Sequence, residues 1–328
     1  MHTITLAMAL LSAALPLFNG CSAPALFPDA DAVESARIYF NEERFEQASD
    51  LAEAVLMGDF EETFSAEALA EAAWVAAEAE MALGLDVKAF KNYRQLLETA
   101  PWSPHVVSIE RRLFEIGERL LYDERYGGFF DSRGRGVEVL TLLQVHYRHS
   151  DLADDALRDI AAYFASEGIE EWLEASLTYE QLFDEYPDSE WAERSLWLAA
   201  HYRLKMVYAP GYNQNGLLKA QELLRTSLRV HRRGVARADV EADLVSCREL
   251  LAAGHLTVAN FYEIRERPGG EILRLANAAI LYPETVSGQL AQGRLLAAGF
   301  DLEALAGDSG ATSVDREVPG LGPWSEDR

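Results

Sequence analysis

Two short segments, Tyr186-Pro187-Asp188-Ser189 and Tyr282-Pro283-Glu284-Thr285, constrain the fold of this chain most strongly. Each follows a stretch with apolar residues at helical spacing, and another such stretch begins directly after it. Proline cannot continue a helix, and it is common just beyond a helix C-terminus. The pattern therefore predicts pairs of helices that are joined by short turns and repeated along the chain.

The same rhythm recurs around a third proline. Ala89 lies twelve residues before Pro101, and Ala175 lies twelve residues before Pro187. Small residues at such positions allow close helix contact. The chain has 328 residues, which is enough for about five to six stacked hairpins. Because alternation of polar and apolar residues is nearly absent, the sequence predicts an all-α helical-hairpin solenoid.

The predicted organisation has five parts: a signal peptide at 1–20, a linker at 21–29, N-terminal repeats at 30–150, C-terminal repeats at 151–300 and a disordered tail at 301–328. A glycine-rich loop is expected from Tyr126 to Gly136. Asp29 or Asp31, Ser65 and Asp151 are the predicted caps of three helix N-termini.

The N-terminus resembles a bacterial lipoprotein signal. Residues 1–20 contain no Lys, Arg, Asp or Glu, and an apolar run from Ile4 to Phe18 leads to Asn19-Gly20-Cys21-Ser22. In such signals the thiol of the cysteine is lipid-modified after export, so we expect Cys21 to carry acyl chains such as palmitate. No basic residue precedes the apolar run, which keeps an ordinary secretory peptide or an uncleaved anchor open as alternatives.

The second cysteine, Cys247, is expected to be buried and inert. If Cys21 is acylated, Cys247 has no partner for an intramolecular disulfide, and Leu244, Val245 and Leu250 surround it in sequence. A chain of this length can form a sufficient core without disulfides.

The charge distribution suggests one docking segment. The net charge of −25 argues against general affinity for nucleic acid or an anionic membrane. Residues 203–237 nevertheless contain eight basic residues and one acid. We predict that arginines of this segment bind an acidic surface of a partner protein. The alternative interpretation is that these arginines lie on ordinary solvated helix faces whose composition is basic by chance. The arginines are Arg225, Arg229, Arg232, Arg233 and Arg237.

Catalytic patterns are nearly absent, so we expect a protein that is not an enzyme and needs no metal, cofactor or small-molecule substrate. His146 and His149 lack the companions of a metal motif. Residues 133–136 lack the Lys-Ser/Thr of a phosphate-binding loop. Asp154 and Asp155 are adjacent, so we interpret them as solvated acids. Trp74, Trp172, Trp191 and Trp197 are assigned mainly to the core by their spacing, with some lining a groove.

Each predicted hairpin resembles a tetratricopeptide repeat. A closer resemblance, to the BamD-type outer-membrane assembly lipoproteins, is carried by three further segments together with the N-terminal signal. These are the residues from Tyr179 to Ser189, the interrupted hairpin at Tyr208-Ala209-Pro210-Gly211-Tyr212, and Ala259-Asn260-Phe261-Tyr262 before the closing Tyr282-Pro283.

This resemblance implies a lipid-anchored scaffold on the periplasmic face of the outer membrane, which helps to insert β-barrel proteins through contacts with an outer-membrane β-barrel assembly protein or another periplasmic protein. A repeat adaptor for pilus or polysaccharide secretion is the alternative function.

Replacing the predicted lipid-modified residue tests the anchor. Cys21→Ser should move the protein from the membrane pellet to the soluble periplasmic fraction, because acyl chains would supply its membrane affinity at roughly 0.8 kcal/mol per buried methylene. Fractionation followed by immunoblotting measures this. Retention of the variant in the pellet after a high-salt wash would show that the lipoprotein interpretation is wrong.

Overall fold

The computed structural model describes residues 32–60, 63–122, 132–230, 237–303 and 305. The described residues contain α-helices and no strand. The chain divides into two compact units, Met1–Ser103 and Pro104–Arg328, here called unit 1 and unit 2. The predicted signal peptide, linker and Cys21, the cap at Asp29 or Asp31, and the part of the predicted tail from residue 306 onward lie outside the described ranges.

Unit 1 is a stack of two helical hairpins. Each helix contacts the next along the chain, and α1 also contacts α3. Alanine occupies the contact positions: Ala36, Ala48, Ala52 and Ala76 are fully buried in one shared cluster. The helices of unit 1 are α1 (Ala32–Asn41), α2 (Phe45–Met57), α3 (Ala66–Ala82) and α4 (Asp86–Thr99).

Unit 2 continues the same pattern over nine described helices. Consecutive helices again pack against each other, and α5 also contacts α7, α9 contacts α11 and α11 contacts α13. These helices are α5 (Val106–Tyr122), α6 (Ser132–His146), α7 (Ala153–Glu167), α8 (Trp172–Glu185), α9 (Ala192–Lys205), α10 (Gln214–Val230), α11 (Arg237–Ile264), α12 (Pro268–Leu281) and α13 (Val286–Ala297). This confirms the predicted fold class, an all-α tetratricopeptide-like helical-hairpin solenoid, within each unit.

The three proline segments form the same turn. Ala100, Tyr186 and Tyr282 close α4, α8 and α12 with φ near −138°, −128° and −134°, and each donates its N–H to the carbonyl four residues earlier. The carbonyl of each cap residue then accepts the N–H of the Ser or Thr three residues later, at 2.9–3.1 Å. Proline suits the second position of such a turn because its φ is already fixed.

The helix starts follow the sequence signals only in part. The predicted cap at Ser65 is confirmed, since its hydroxyl accepts the N–H of Ala68 at 3.2 Å. The predicted cap at Asp151 is wrong, because α7 begins at Ala153 and its N-cap, Leu152, gives its N–H to the hydroxyl of Ser150. The predicted boundary at 150 lies between α6 and α7, which contact each other inside unit 2.

The predicted loop from Tyr126 to Gly136 is wrong at its C-terminal end, where residues 132–136 form the first turns of α6. Gly136 is buried, and a Cβ atom there would lie 2.8 Å from the Leu121 side chain and 3.0 Å from the Gly117 carbonyl oxygen. A Cβ on Gly117 would in turn meet Leu140 at 2.4 Å. These glycines therefore allow α5 and α6 to cross closely, whereas residues 126–131 lie outside the described ranges.

None of the helices in the described ranges combines the length and the apolar character that crossing a bilayer requires.

Gly136→Ala tests the close crossing of α5 and α6. The added methyl group meets backbone atoms, so we expect overpacking to lower stability by about 1–3 kcal/mol. Gly269→Ala is the matched control, because nothing lies within 4 Å of its Cβ position and alanine favours a helix by roughly 1 kcal/mol. Thermal unfolding followed by circular dichroism should show a lower midpoint for Gly136→Ala alone. Equal midpoints in the two variants would contradict the crossing.

Candidate functional site

The structure describes three of the five predicted arginines, and each has different neighbours. Arg229 is exposed and donates to the hydroxyl of Thr226 at 2.9 Å. Arg237 is exposed and forms an ion pair with Glu241 at 2.7 Å. Arg225 is half-buried, and its charge acts on Cys247, Tyr282 and Glu284. Arg232 and Arg233 lie outside the described residues.

Part of the positive charge of the basic segment is compensated by a carboxylate outside residues 203–237. Arg203 and Lys219 both pair with Glu180 of α8, at 2.6 and 3.3 Å. Glu180 precedes the segment in sequence, so a count over residues 203–237 misses it. The basic excess of this segment is therefore smaller in the folded protein than in the sequence.

A different surface of unit 2 concentrates charge and aromatic rings. Side-chain hydrogen bonds join odd-numbered helices of the stack: α5 to α7, α7 to Trp191 at the N-cap of α9, and α9 to α11. We call this surface the odd-helix face. It consists of two groups, the α7 cluster (Tyr122, Asp155, Arg158, Asp159, Trp191) and the α11 cluster (Trp197, His201, Asp243).

In the α7 cluster, one arginine joins two carboxylates and an indole. Arg158 donates to Asp155 and Asp159 at 2.8 and 2.9 Å, and its guanidinium lies 4.7 Å from the centre of the Trp191 ring. Trp191 Nε1 donates to Asp155 Oδ1 at 2.9 Å, and Tyr122 Oη donates to Asp159 Oδ1 at 2.9 Å. The cluster thus links α5, α7 and the start of α9.

The α7 cluster holds more carboxyl groups than its single guanidinium can neutralise. Asp159 is 3% exposed, and its Oδ2 has no hydrogen-bond partner. Burial raises the pKa of Asp159 although Arg158 opposes the shift. Burial, followed by the charge of Asp159, also raises the pKa of the neighbouring Glu118. The same two causes raise the pKa of Tyr122 to about 12. An additional cation at this surface would relieve the repulsion.

In the α11 cluster, one carboxylate bridges two aromatic side chains of α9. Trp197 Nε1 donates to Asp243 Oδ2 at 2.8 Å, and His201 Nδ1 lies 2.9 Å from the same oxygen. Among the described residues, no Ser, Thr or Cys side chain bonds to His201, so a nucleophile of the kind found in a hydrolase triad does not accompany this pair.

The contacts in these two clusters bear on the predictions made for Asp155 and for the tryptophans. Asp155 is not simply solvated, because Arg158 and Trp191 bind it. All four tryptophans of that prediction are half-buried. Trp74 and Trp197 pack against core clusters, as predicted. The sequence signal that could have identified the contacts of Trp191 and Trp197 is the indole N–H, since partly buried tryptophans usually donate to an acceptor.

A shallow groove lies on the other side of α7. It has a volume of about 560 Å³ and runs between α6 and α8. Val145, Phe164 and Thr178 are among the side chains that line it, and no carboxylate lines it.

The remaining candidate chemical groups are not arranged as reactive sites. Cys247 is buried, and burial raises the pKa of its thiol to about 12, which confirms the predicted buried thiol. His146 and His149 are exposed. Within the described part of the chain, no three His, Cys, Asp or Glu side chains form a group that could hold a metal ion.

Unit 1 contains a separate perturbed acid. Glu80 is fully buried and accepts the amide N–H of Asn92 at 2.8 Å. Burial raises the pKa of Glu80 to about 7, and neighbouring Glu53 adds to the shift. Because its carboxyl group is enclosed by α2, α3 and α4 side chains, we assign Glu80 to the core rather than to a binding surface.

Comparison with known proteins does not identify the function of this protein. No family model matches the sequence. No curated protein is significantly similar to it. The structure is similar to the C-terminal part of a TPR repeat-containing protein from Cytophaga hutchinsonii, with 11% identity, a TM-score of 0.25, and coverage of 79% of this chain and 98% of that one. A similarity this low carries no argument about function, and none of the comparisons supports the BamD-type resemblance.

The raised pKa of Glu80 predicts a pH-dependent stability. Folding favours the protonated carboxyl group, so this contribution is fully present below pH about 4.5 and is lost as the pH rises to about 7. Glu80→Gln should abolish this loss and stabilise the protein at pH 8, by an amount on the order of a few kcal/mol. Denaturant unfolding at pH 5 and pH 8 measures the difference. Exposed Glu98→Gln is the control, and identical pH profiles for Glu80→Gln and the unsubstituted protein would refute the prediction.

Proposed function

We propose that this protein is a non-catalytic repeat scaffold that binds a basic segment of a partner protein on its odd-helix face. The observation that carries the proposal is the α7 cluster, where one guanidinium binds both Asp155 and Asp159 while Glu118 lies within the range of their charges. Stacked hairpins commonly present such a continuous surface to an extended or helical peptide.

The side chains on this face suit arginine or lysine. The ring of Trp191 already accepts one guanidinium, and Tyr122 is 58% exposed beside it. Aromatic rings attract cations, and a carboxylate next to the ring gives direction to the contact. The α11 cluster repeats the combination with Asp243 between Trp197 and His201, so a partner with basic residues at two positions could bind both clusters.

The proposal also includes a cellular location. The sequence Asn19-Gly20-Cys21-Ser22 supports a lipid anchor at Cys21, with the repeats facing the periplasm at the outer membrane. By its resemblance to BamD-type proteins, the scaffold would assist the assembly of β-barrel proteins. An adaptor for pilus or polysaccharide secretion would use the same anchor, and the identity of the bound partner separates the two functions.

The arginine segment remains a second docking candidate. Arg225, Arg229, Arg232, Arg233 and Arg237 would bind an acidic surface of the partner, with exposed Arg229 as the described residue best placed to do so. Contacts of this kind act mainly on the association rate and are screened by salt over a Debye length of ~8 Å.

Charge-neutral substitutions on the odd-helix face test the proposal. Glu118→Gln with Asp155→Asn removes two charges, while the new amide oxygen at 155 can still accept the Trp191 N–H. Exposed Glu222→Gln with Asp184→Asn removes two charges from α10 and α8 and is the matched control.

In purifications from crosslinked membranes, the odd-helix pair of substitutions should reduce capture of the co-purifying partner by about tenfold at low salt, equivalent to ~1.4 kcal/mol. The control should leave capture unchanged, and circular dichroism should be the same for both. Equal capture by the two variants would exclude the odd-helix face as the binding surface. Selective loss on Arg229→Glu would assign binding to the arginine segment instead.

A further inference from the structure

The last helix of unit 2 has an exposed face without charge. One side of α13 is buried through Ser287, Gly288, Ala291 and Leu295. The opposite side presents six residues at helical spacing, none of which is ionisable: Val286, Gln289, Leu290, Gly293, Leu296 and Ala297. Val286, Leu290 and Leu296 are 76%, 58% and 58% exposed. This side of α13 is called the terminal stripe.

The one charged residue of α13 is already paired. Arg294 donates to Asn260 and Glu263 of α11 and to Glu271 of α12, at 2.6, 3.0 and 2.7 Å. It therefore lies along the edge of the helix that meets α11 and leaves the terminal stripe neutral. The exposed side of α1, in contrast, is charged, because it carries the ion pair between Glu34 and Arg37.

An apolar outer face is unusual at the end of a helical repeat, because terminal repeats normally carry a polar cap. Among the helices with the bounds given above, α13 follows six complete hairpins. A short helical turn follows it, and Leu302 and Leu305 of this turn pack on the cluster that contains Ala291 and Leu295, on the buried side of α13 and not on the terminal stripe. In the other hairpins of unit 2, the first helix buries such a face against the second.

We propose that the terminal stripe binds the α13 of a second copy of this chain, forming a two-fold symmetric dimer. In such a dimer each residue meets the same surface of the partner, so any net charge on the surface is repelled by itself. The chain has a net charge of −25, and a neutral stripe removes this obstacle locally.

The pattern of large and small residues fits an antiparallel pair. When two α13 helices cross at the middle of the stripe in opposite directions, Leu290 of one copy faces Gly293 of the other, and Val286 faces Ala297. Nothing lies within 4 Å of the Cβ position of Gly293, so a leucine side chain can occupy this space. The two contacts occur twice by symmetry and extend along about 18 Å of helix.

The interface is small, and the dimer is accordingly concentration-dependent. Twelve-residue helices bury less than the roughly 1,200–2,000 Å² of a standard interface. Phe261 and Ile264, which are 46% and 82% exposed, lie at the end of α11 beside Asn260 and Glu263, the residues that bind Arg294. Ile264 extends the apolar surface at the edge of the stripe, whereas the guanidinium of Arg265 lies 4.8 Å from the centre of the Phe261 ring.

Sedimentation of the full chain tests the dimer. We expect a concentration-dependent species of twice the 36.5 kDa chain mass, and Leu290→Glu should raise its dissociation constant at least about tenfold. Leu218→Glu on α10, where the leucine is 49% exposed, should leave it unchanged. A chain that stays monomeric at all concentrations, or equal weakening by both variants, overturns the proposal.

Crosslinking in intact cells identifies the occupant of the stripe. Gly293→Cys treated with a short bismaleimide should give a dimer band that Leu290→Glu removes, while Leu218→Cys should give none. A band that appears only after deletion of residues 306–328 would mean that the chain's own C-terminus covers the stripe, and adducts only with another protein would mean a different partner. Either result overturns the proposal.

Discussion

The structure depends on close contact between consecutive helices at positions that only small side chains can occupy. Ala48, Ala76, Ala175 and Ala199 are fully buried, and Gly117 and Gly136 bring α5 and α6 closer than any Cβ atom would allow. Because each helix buries its apolar side mainly against its sequence neighbour, the exposed sides are free to vary. The binding surfaces proposed for this protein lie on those exposed sides.

Local signals made most of the fold predictable. A helix that ends before Pro101, Pro187 or Pro283 can be recognised from a few adjacent residues, since proline lacks the N–H and fixes φ. The cap residue and the Ser or Thr that closes each turn follow the same short pattern. The boundary of the loop before α6 could not be predicted, because Arg133-Gly134-Arg135-Gly136 resembles a turn until α5 is placed against it.

The candidate site was less predictable because its contacts join helices that are distant in sequence. Asp155 appeared to be a solvated acid, yet its partner Trp191 belongs to the start of α9. Asp243 likewise binds Trp197 and His201 across the stack. The arginine segment shows the converse effect, since Glu180 of α8 compensates Arg203 and Lys219. Charge summed along a sequence window therefore misrepresents the charge of a folded surface.

Site-specific photo-crosslinking tests most directly whether the odd-helix face binds the partner. A benzophenone side chain in place of Tyr122, which is 58% exposed, would sit within the α7 cluster, and one in place of Leu218, which is 49% exposed, would sit on α10. After irradiation of intact cells, we expect one discrete adduct from position 122 and none from position 218. Adducts from position 218 alone, or the same adducts from both positions, would contradict the central claim.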